Sequence, residues 1–206
     1  MFFYLGHNPD AYAKVAQEIR AAFPSVDAIR AGPVLNSCVY LRAAINETLR
    51  MSPVVAQPLW READPGGCTV DGEFIPAGLD VATNIFSLHH NASIFPDPYT
   101  FKIERWIVDP MKDEEEEKER LKELNKNWAP FSLGSRQCIA KNFALMELSL
   151  AMANVFWRLD FEVVGKLGEG AKGMGEGRER EGEFQLKSYF TSYMEGPMVR
   201  FKVRDV

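Results

Sequence analysis

The residues best suited to chemistry lie in Phe131-Ser132-Leu133-Gly134-Ser135-Arg136-Gln137-Cys138-Ile139-Ala140, a short loop that puts one thiol where a long apolar run begins. At a helix start, free backbone N–H groups and the positive end of the dipole favour the ionised sulfur, the form that binds metal. Gly134 lets backbone approach the sulfur, Phe131 can shield it from water, and Arg136 can neutralise a carboxylate of a bound cofactor. Cys38 and Cys68 have no comparable neighbours. Three cysteines without short paired spacings form neither a zinc site nor a disulfide framework, which points to a reducing compartment.

A second constellation is Glu47-Thr48-Leu49-Arg50, an acid and a base three residues apart on one helical face. Standing alone it would be a surface pair contributing well under ~1 kcal/mol. The neighbours His89 and His90 point to opposite sides of a strand or turn and cannot readily converge on one ion. His7 reads as an exposed residue beside the start of the first helix.

The elements that must position these groups follow from periodicity. Tyr12, Val15, Ile19 and Phe23 make the stripe of a helix that opens at Pro9 and stops before Pro24. A second helix runs from about Asn36, with Cys38, Leu41, Ile45 and Leu49 as its stripe, to Pro53. It carries Glu47 and Arg50. The period then changes: Thr69 to Phe74 contains an Asp71-Gly72 turn between short extended pieces, and the strand Asp80 to Phe86 pairs back. A charged run from Lys112 to Lys122 reads as a solvated helix or loop. From Ile139 to Leu159 the chain is apolar nearly all round, which predicts a helix buried on more than one side. A Gly-, Glu- and Arg-rich stretch, about 165–183, is read as a flexible insertion, and Tyr189 to Met194 with Met198 to Val203 as a closing hairpin turning at Gly196-Pro197. The fold class is therefore mainly α with small β-sheets, an α+β arrangement.

Composition sets the outer bounds. With 206 residues and 46% apolar content the chain can bury a sizeable core. A net charge of -5 gives no broad positive field, so no nucleic-acid partner is expected. The opening Met1-Phe2-Phe3-Tyr4-Leu5 is too short for a signal-peptide core or a membrane span, so a cytoplasmic location is expected if the chain is expressed alone.

Taken together, the motifs resemble those of the cytochrome P450 family. Phe131, Gly134, Arg136 and Cys138 match its F-x-x-G-x-R-x-C haem-binding loop, with Ala140 where glycine is usual. Glu47 and Arg50 match E-x-x-R, and Phe101-Lys102-Ile103-Glu104-Arg105-Trp106 resembles F-x-P-E-R-W, with Ile103 in place of proline. The resemblance covers nearly the whole chain and implies one partial domain, residues 1–206, the C-terminal haem-binding half of the P450 fold. It implies haem b with Cys138 as axial thiolate ligand to iron, Arg61 and Arg136 on the haem propionates, and a buried network of Glu47, Arg50 and Arg105. One of the two adjacent histidines would hydrogen-bond near the haem edge.

The family's oxygen-side acid–alcohol pair has no match here, so no catalytic residue is assigned. The resemblance implies a haem-thiolate monooxygenase that inserts one oxygen atom of O2 into a small organic substrate, served by an NADPH-dependent reductase. Two alternatives stand beside it: a truncated, inactive chain with weak or no haem binding, and a haem-thiolate isomerase or dehydratase. The phrase Leu41 to Pro53 is similar to fungal microsomal members, whose full-length forms are held at the endoplasmic reticulum membrane by an anchor that this sequence does not show.

Overall fold

The computed structural model describes residues 1–204. It opens with α1 (Phe2–His7), a helix too short for its period to stand out in the sequence, whose Phe3, Tyr4 and Leu5 enter the core. Helix α2 (Pro9–Ala22) starts on its proline, buries Val15, Ala16 and Ile19, and ends where Phe23 turns extended before Pro24. A single turn, α3 (Pro33–Asn36), precedes α4 (Val39–Met51). The second predicted helix thus begins three residues late, because Cys38 adopts an extended backbone at the α4 N-cap. Helix α4 is buried on several faces and packs on α2 and on α7 (Lys141–Arg158).

Four strands follow α4: β1 (Pro58–Glu62), β2 (Cys68–Val70), β3 (Glu73–Ile75) and β4 (Asp80–Asn84). The β2–β3 hairpin turns at Asp71-Gly72, both at positive φ, as a two-residue hairpin turn of the primed type requires. Strand β4 pairs antiparallel with β1 in a register that sets Leu59 opposite Thr83 and Arg61 opposite Val81. Helix α5 (Ile85–His89) continues directly from β4, its start capped by the Asn84 side chain accepting the Ser87 N–H at 2.9 Å. The charged run forms α6 (Glu114–Asn127), with Asp113 accepting the Glu115 and Glu116 N–H groups.

After α7 the chain runs through β5 (Leu159–Val163), β6 (Leu186–Ser188), β7 (Ser192–Met194) and β8 (Val199–Val203). Here one expectation is corrected. The closing strands do not pair with each other: β7 folds back on β6, and β8 pairs with β5. The distant partner offers aromatic packing that a local hairpin lacks, since Phe161 sits opposite Phe201 and Phe2 of α1 meets both rings edge-on at 5.0 and 5.6 Å. The described residues contain four two-stranded antiparallel sheets among seven helices, an α+β fold.

A second correction concerns α7. Leu145, Ser149, Met152, Ala153 and Phe156 face the core, but Phe143, Met146 and Leu148 are exposed, and Ile139 before the helix is fully so. No described element covers that apolar side. The Gly-rich stretch forms successive turns joined to the core by an isolated bridge between Glu169 and Phe184, whose ring lies 4.8 Å from Phe3.

Candidate functional site

The loop before α7 is built by its own backbone. Phe131 O accepts the Cys138 N–H at 2.8 Å, Gly134 O accepts the Gln137 N–H, and Cys138 O accepts the Lys141 N–H that opens the helix. Gly134 turns the loop at φ +70, where a side chain would be strained. Cys138 is exposed, and α7 has neither a side-chain cap nor an acidic residue in its first turn, so nothing in the helix competes for its free N–H groups. Phe131 is half-buried with its ring 6.2 Å from Trp128.

Beside this loop lies an open pocket of about 490 Å³ lined by Arg61 of β1 and Arg136 of the loop, with Leu59, Val81, Ile85 and Leu133 among its apolar walls. Arg61 donates to the Trp60 carbonyl at 2.6 Å, and neither arginine has a carboxylate partner among the described residues. Two guanidinium groups free of acids in one apolar pocket form a receptor for an anionic group. An exposed thiol stands two residues from one of them. This donor set fits haem: a sulfur for iron, two cations for carboxylates and exposed apolar side chains for a porphyrin face.

The charged groups Glu47, Arg50 and Arg105 meet in the interior behind the loop. Arg50 donates through Nε and Nη2 to both Glu47 oxygens at 2.9 Å, and neither side chain is accessible. Glu47 also accepts the Trp106 indole N–H at 2.9 Å, the Lys102 N–H at 3.1 Å and Arg105 Nε at 3.4 Å. Arg50 Nη1 donates to the carbonyls of His89 and Pro98, at 2.8 and 2.7 Å, and Nη2 also reaches Met51 Sδ at 2.7 Å. A buried pair satisfied on this many sides is a fixed post.

Two connections were not read from the sequence. His89 Nε2 accepts the Ala129 N–H at 2.9 Å, which leaves Nδ1 to donate to Arg50 O at 3.2 Å. Trp128 Nε1 donates to Asn46 O at 3.1 Å. Both tie the segment leading into the cysteine loop to α4. Neither histidine of the adjacent pair lines the arginine pocket, and His90 instead stacks on Phe86 at 4.0 Å and donates from Nδ1 to the Phe86 carbonyl. His7 is exposed, with Nδ1 2.8 Å from Phe3 O. No group of three or more His, Cys, Asp or Glu able to hold a metal occurs among the described residues.

These histidines make stability acid-sensitive. Burial, reinforced by Arg50, pushes His89 down to about 3, and burial pushes His90 down to about 4. Below the ordinary histidine range, near 6.5, the unfolded chain takes up protons that the folded chain refuses. Stability is therefore complete above that value and falls with pH toward the folded values, by about 1.4 kcal/mol per pH unit for each histidine. His90 Nε2 is buried without a partner, so His90→Phe should hold stability near neutrality while preserving the stack. Urea unfolding at about pH 6.5 and 4.5 should show a smaller acid loss in that variant. An unchanged loss would exclude His90 as its source.

Comparison with known proteins bears on what this site is. The family profile described as Cytochrome P450 matches residues 1–169. The cytochrome P450 monooxygenase poxM of Penicillium oxalicum is 42% identical over 205 residues, covering 98% of this chain and 36% of that protein. The cytochrome P450 monooxygenase apf8 of Gibberella fujikuroi is 43% identical, over 98% of this chain and 54% of its own length. AKT7 of Alternaria alternata, also a cytochrome P450 monooxygenase, is 41% identical, over 97% and 39% respectively. The chain thus spans between about a third and just over half of these relatives. No described helix is long and apolar enough to cross a membrane.

Proposed function

The chain belongs to the cytochrome P450 family, and on that premise we propose that the protein containing it is a haem-thiolate monooxygenase, inserting one oxygen atom of O2 into a small organic substrate. The observation that carries this reading is the coincidence, beside one loop, of an exposed thiol at a helix start with two acid-free arginines in an apolar pocket. When bound, haem supplies the iron chemistry that activates oxygen.

The residues of this chain do the holding. Cys138 ligates through sulfur, and the N–H groups at the start of α7 stabilise its negative charge. Arg61 and Arg136 bind the propionates and so set the orientation of the ring. The exposed apolar side chains of α7, Phe143 and Met146, would help to shield a bound haem from water. Glu47, Arg50, His89 and Trp128 act at a distance by fixing the segment that presents Cys138. Electrons come from an NADPH-dependent reductase, and the whole protein works at the endoplasmic reticulum membrane.

The test is isotopic. The longest form of the protein its gene encodes, supplied with reductase, NADPH and labelled O2, should yield a product carrying one labelled oxygen atom and one labelled water. A turned-over product without label would identify an isomerase or dehydratase instead. Absence of both haem and turnover in that form would support the inactive reading.

A further inference from the structure

The small β1–β4 sheet borders two cavities. Leu59, Arg61, Val81, Ala82 and Thr83 line the arginine pocket. The Pro58–Asn84 pair at the end of the sheet, with Phe86, floors a second cavity of about 480 Å³, a size that suits a small organic molecule. Its other wall is the Gly-rich stretch, which contributes Arg178 and Glu183, with Gln185 just after it.

That wall is held by backbone. The Gly170 N–H donates to Glu183 O at 3.0 Å and the Ala171 N–H to Arg178 O at 3.1 Å. A Cβ on Gly170 would collide with the carbonyl oxygens of Arg178 and Arg180, so only glycine permits this approach. Arg178 and Glu183 are therefore presented from one anchored turn. Arg178 gives Nε to Gln185 Oε1 at 3.1 Å, and its terminal nitrogens have no acceptor among the described residues. Glu183, with a side chain only 6% exposed, forms an ion pair with Arg180, which donates to Oε2 at 3.3 Å, and takes no hydrogen bond on Oε1. No ion pair joins Arg178 to Glu183 among the described residues.

Guanidinium nitrogens without an acceptor and a carboxylate oxygen left open beside its Arg180 pair, both facing one cavity, are complementary to a ligand bearing both charges. From this geometry we infer that the cavity binds a small zwitterion of the free amino acid class with an apolar side chain. Its carboxylate meets Arg178, its ammonium meets Glu183, and its side chain lies on Pro58 and Phe86. Burial holds the Glu183 carboxyl above its ordinary range, and an incoming ammonium offsets that cost. The site lies at the Pro58–Asn84 end of the sheet that carries Arg61, and its occupancy does not depend on haem.

Calorimetry on the longest form of the protein its gene encodes tests this with L-phenylalanine, phenylacetate and phenethylamine as probes. L-phenylalanine should bind, and each single-charge probe should bind about tenfold more weakly or worse. Arg178→Gln and Glu183→Gln should each weaken L-phenylalanine by about tenfold, with the urea midpoint read alongside to detect a loosened wall. Ser87→Phe fills the cavity from the floor without touching either charge and should abolish binding. No L-phenylalanine binding at about 10 mM, equal binding of the three probes, or binding that survives Ser87→Phe would overturn the inference. The probe comparison needs no substitution and decides the matter even if a variant fails to fold.

Discussion

Cys138→Ala is expected to abolish the strongly red-shifted Soret band that the reduced, carbon monoxide-treated holoprotein gives, while Cys38→Ala and Cys68→Ala retain it. The three thiols differ in setting. Cys138 is exposed at the start of an uncapped helix beside two acid-free arginines. Cys38 is buried, and that burial pushes its thiol up to about 11, with Glu18 adding to the effect. Its sulfur donates to the Val34 carbonyl at 3.3 Å. Cys68 is half-buried in β2, opposite Ile75, and does not itself line the arginine pocket, to which its hairpin contributes only Val70. The thiolate form carries the spectral signature, so loss of one sulfur removes it entirely. A band that persists without Cys138, or that vanishes with Cys68, would refute the ligand assignment.

How far this site was legible depends on the range over which each feature is encoded. The cysteine loop, the Glu47–Arg50 pair and the stripe of α2 are local patterns whose meaning is set within a few turns of chain. The β5–β8 pairing is not. It joins segments separated by the whole Gly-rich stretch and is decided by Phe2 and Phe161 packing on Phe201, and no window on the closing strands contains the first two. The turn expected at Gly196-Pro197 failed for that reason: an apolar partner outside the window outweighed a nearby turn signal.

The same distinction explains the polar links. Nothing in the His89-His90 dipeptide shows that one ring accepts the Ala129 N–H while the other stacks on Phe86, because both outcomes rest on contacts made across the fold. Helix α1 escaped notice because six residues are too few to establish a period, although an opening run of aromatic and aliphatic side chains was a usable sign of burial. In α7 the composition was read correctly as apolar on several sides, whereas its burial depends on what lies beside it.

The interior charge cluster should give the largest stability effect of any polar group in the chain. Glu47 accepts five hydrogen bonds, two of them from Arg50, and both side chains are inaccessible to water. Removing Arg50 leaves a buried carboxylate with its strongest partner gone and strands the carbonyls of His89 and Pro98. Removing Glu47 leaves two buried guanidinium groups facing each other and an indole N–H without an acceptor. Arg50→Ala and Glu47→Ala should therefore each cost about 3–5 kcal/mol, because the surviving charge is uncompensated in a medium of low polarity. Arg105 stands farther off, 3.4 Å from Glu47, and Arg105→Ala should cost less. Denaturant unfolding of the double variant Glu47→Ala, Arg50→Ala should lose less than the sum of the single losses, by about 0.5–3 kcal/mol, since each substitution has already removed the other's partner. The exposed Lys118–Glu115 pair on α6 supplies the contrast: it has the same spacing of three residues, but water screens it and its loss should hardly register. Single losses of Glu47 or Arg50 below about 1 kcal/mol, adding without coupling, would mean that the cluster is open to solvent and does not brace the segment that presents Cys138.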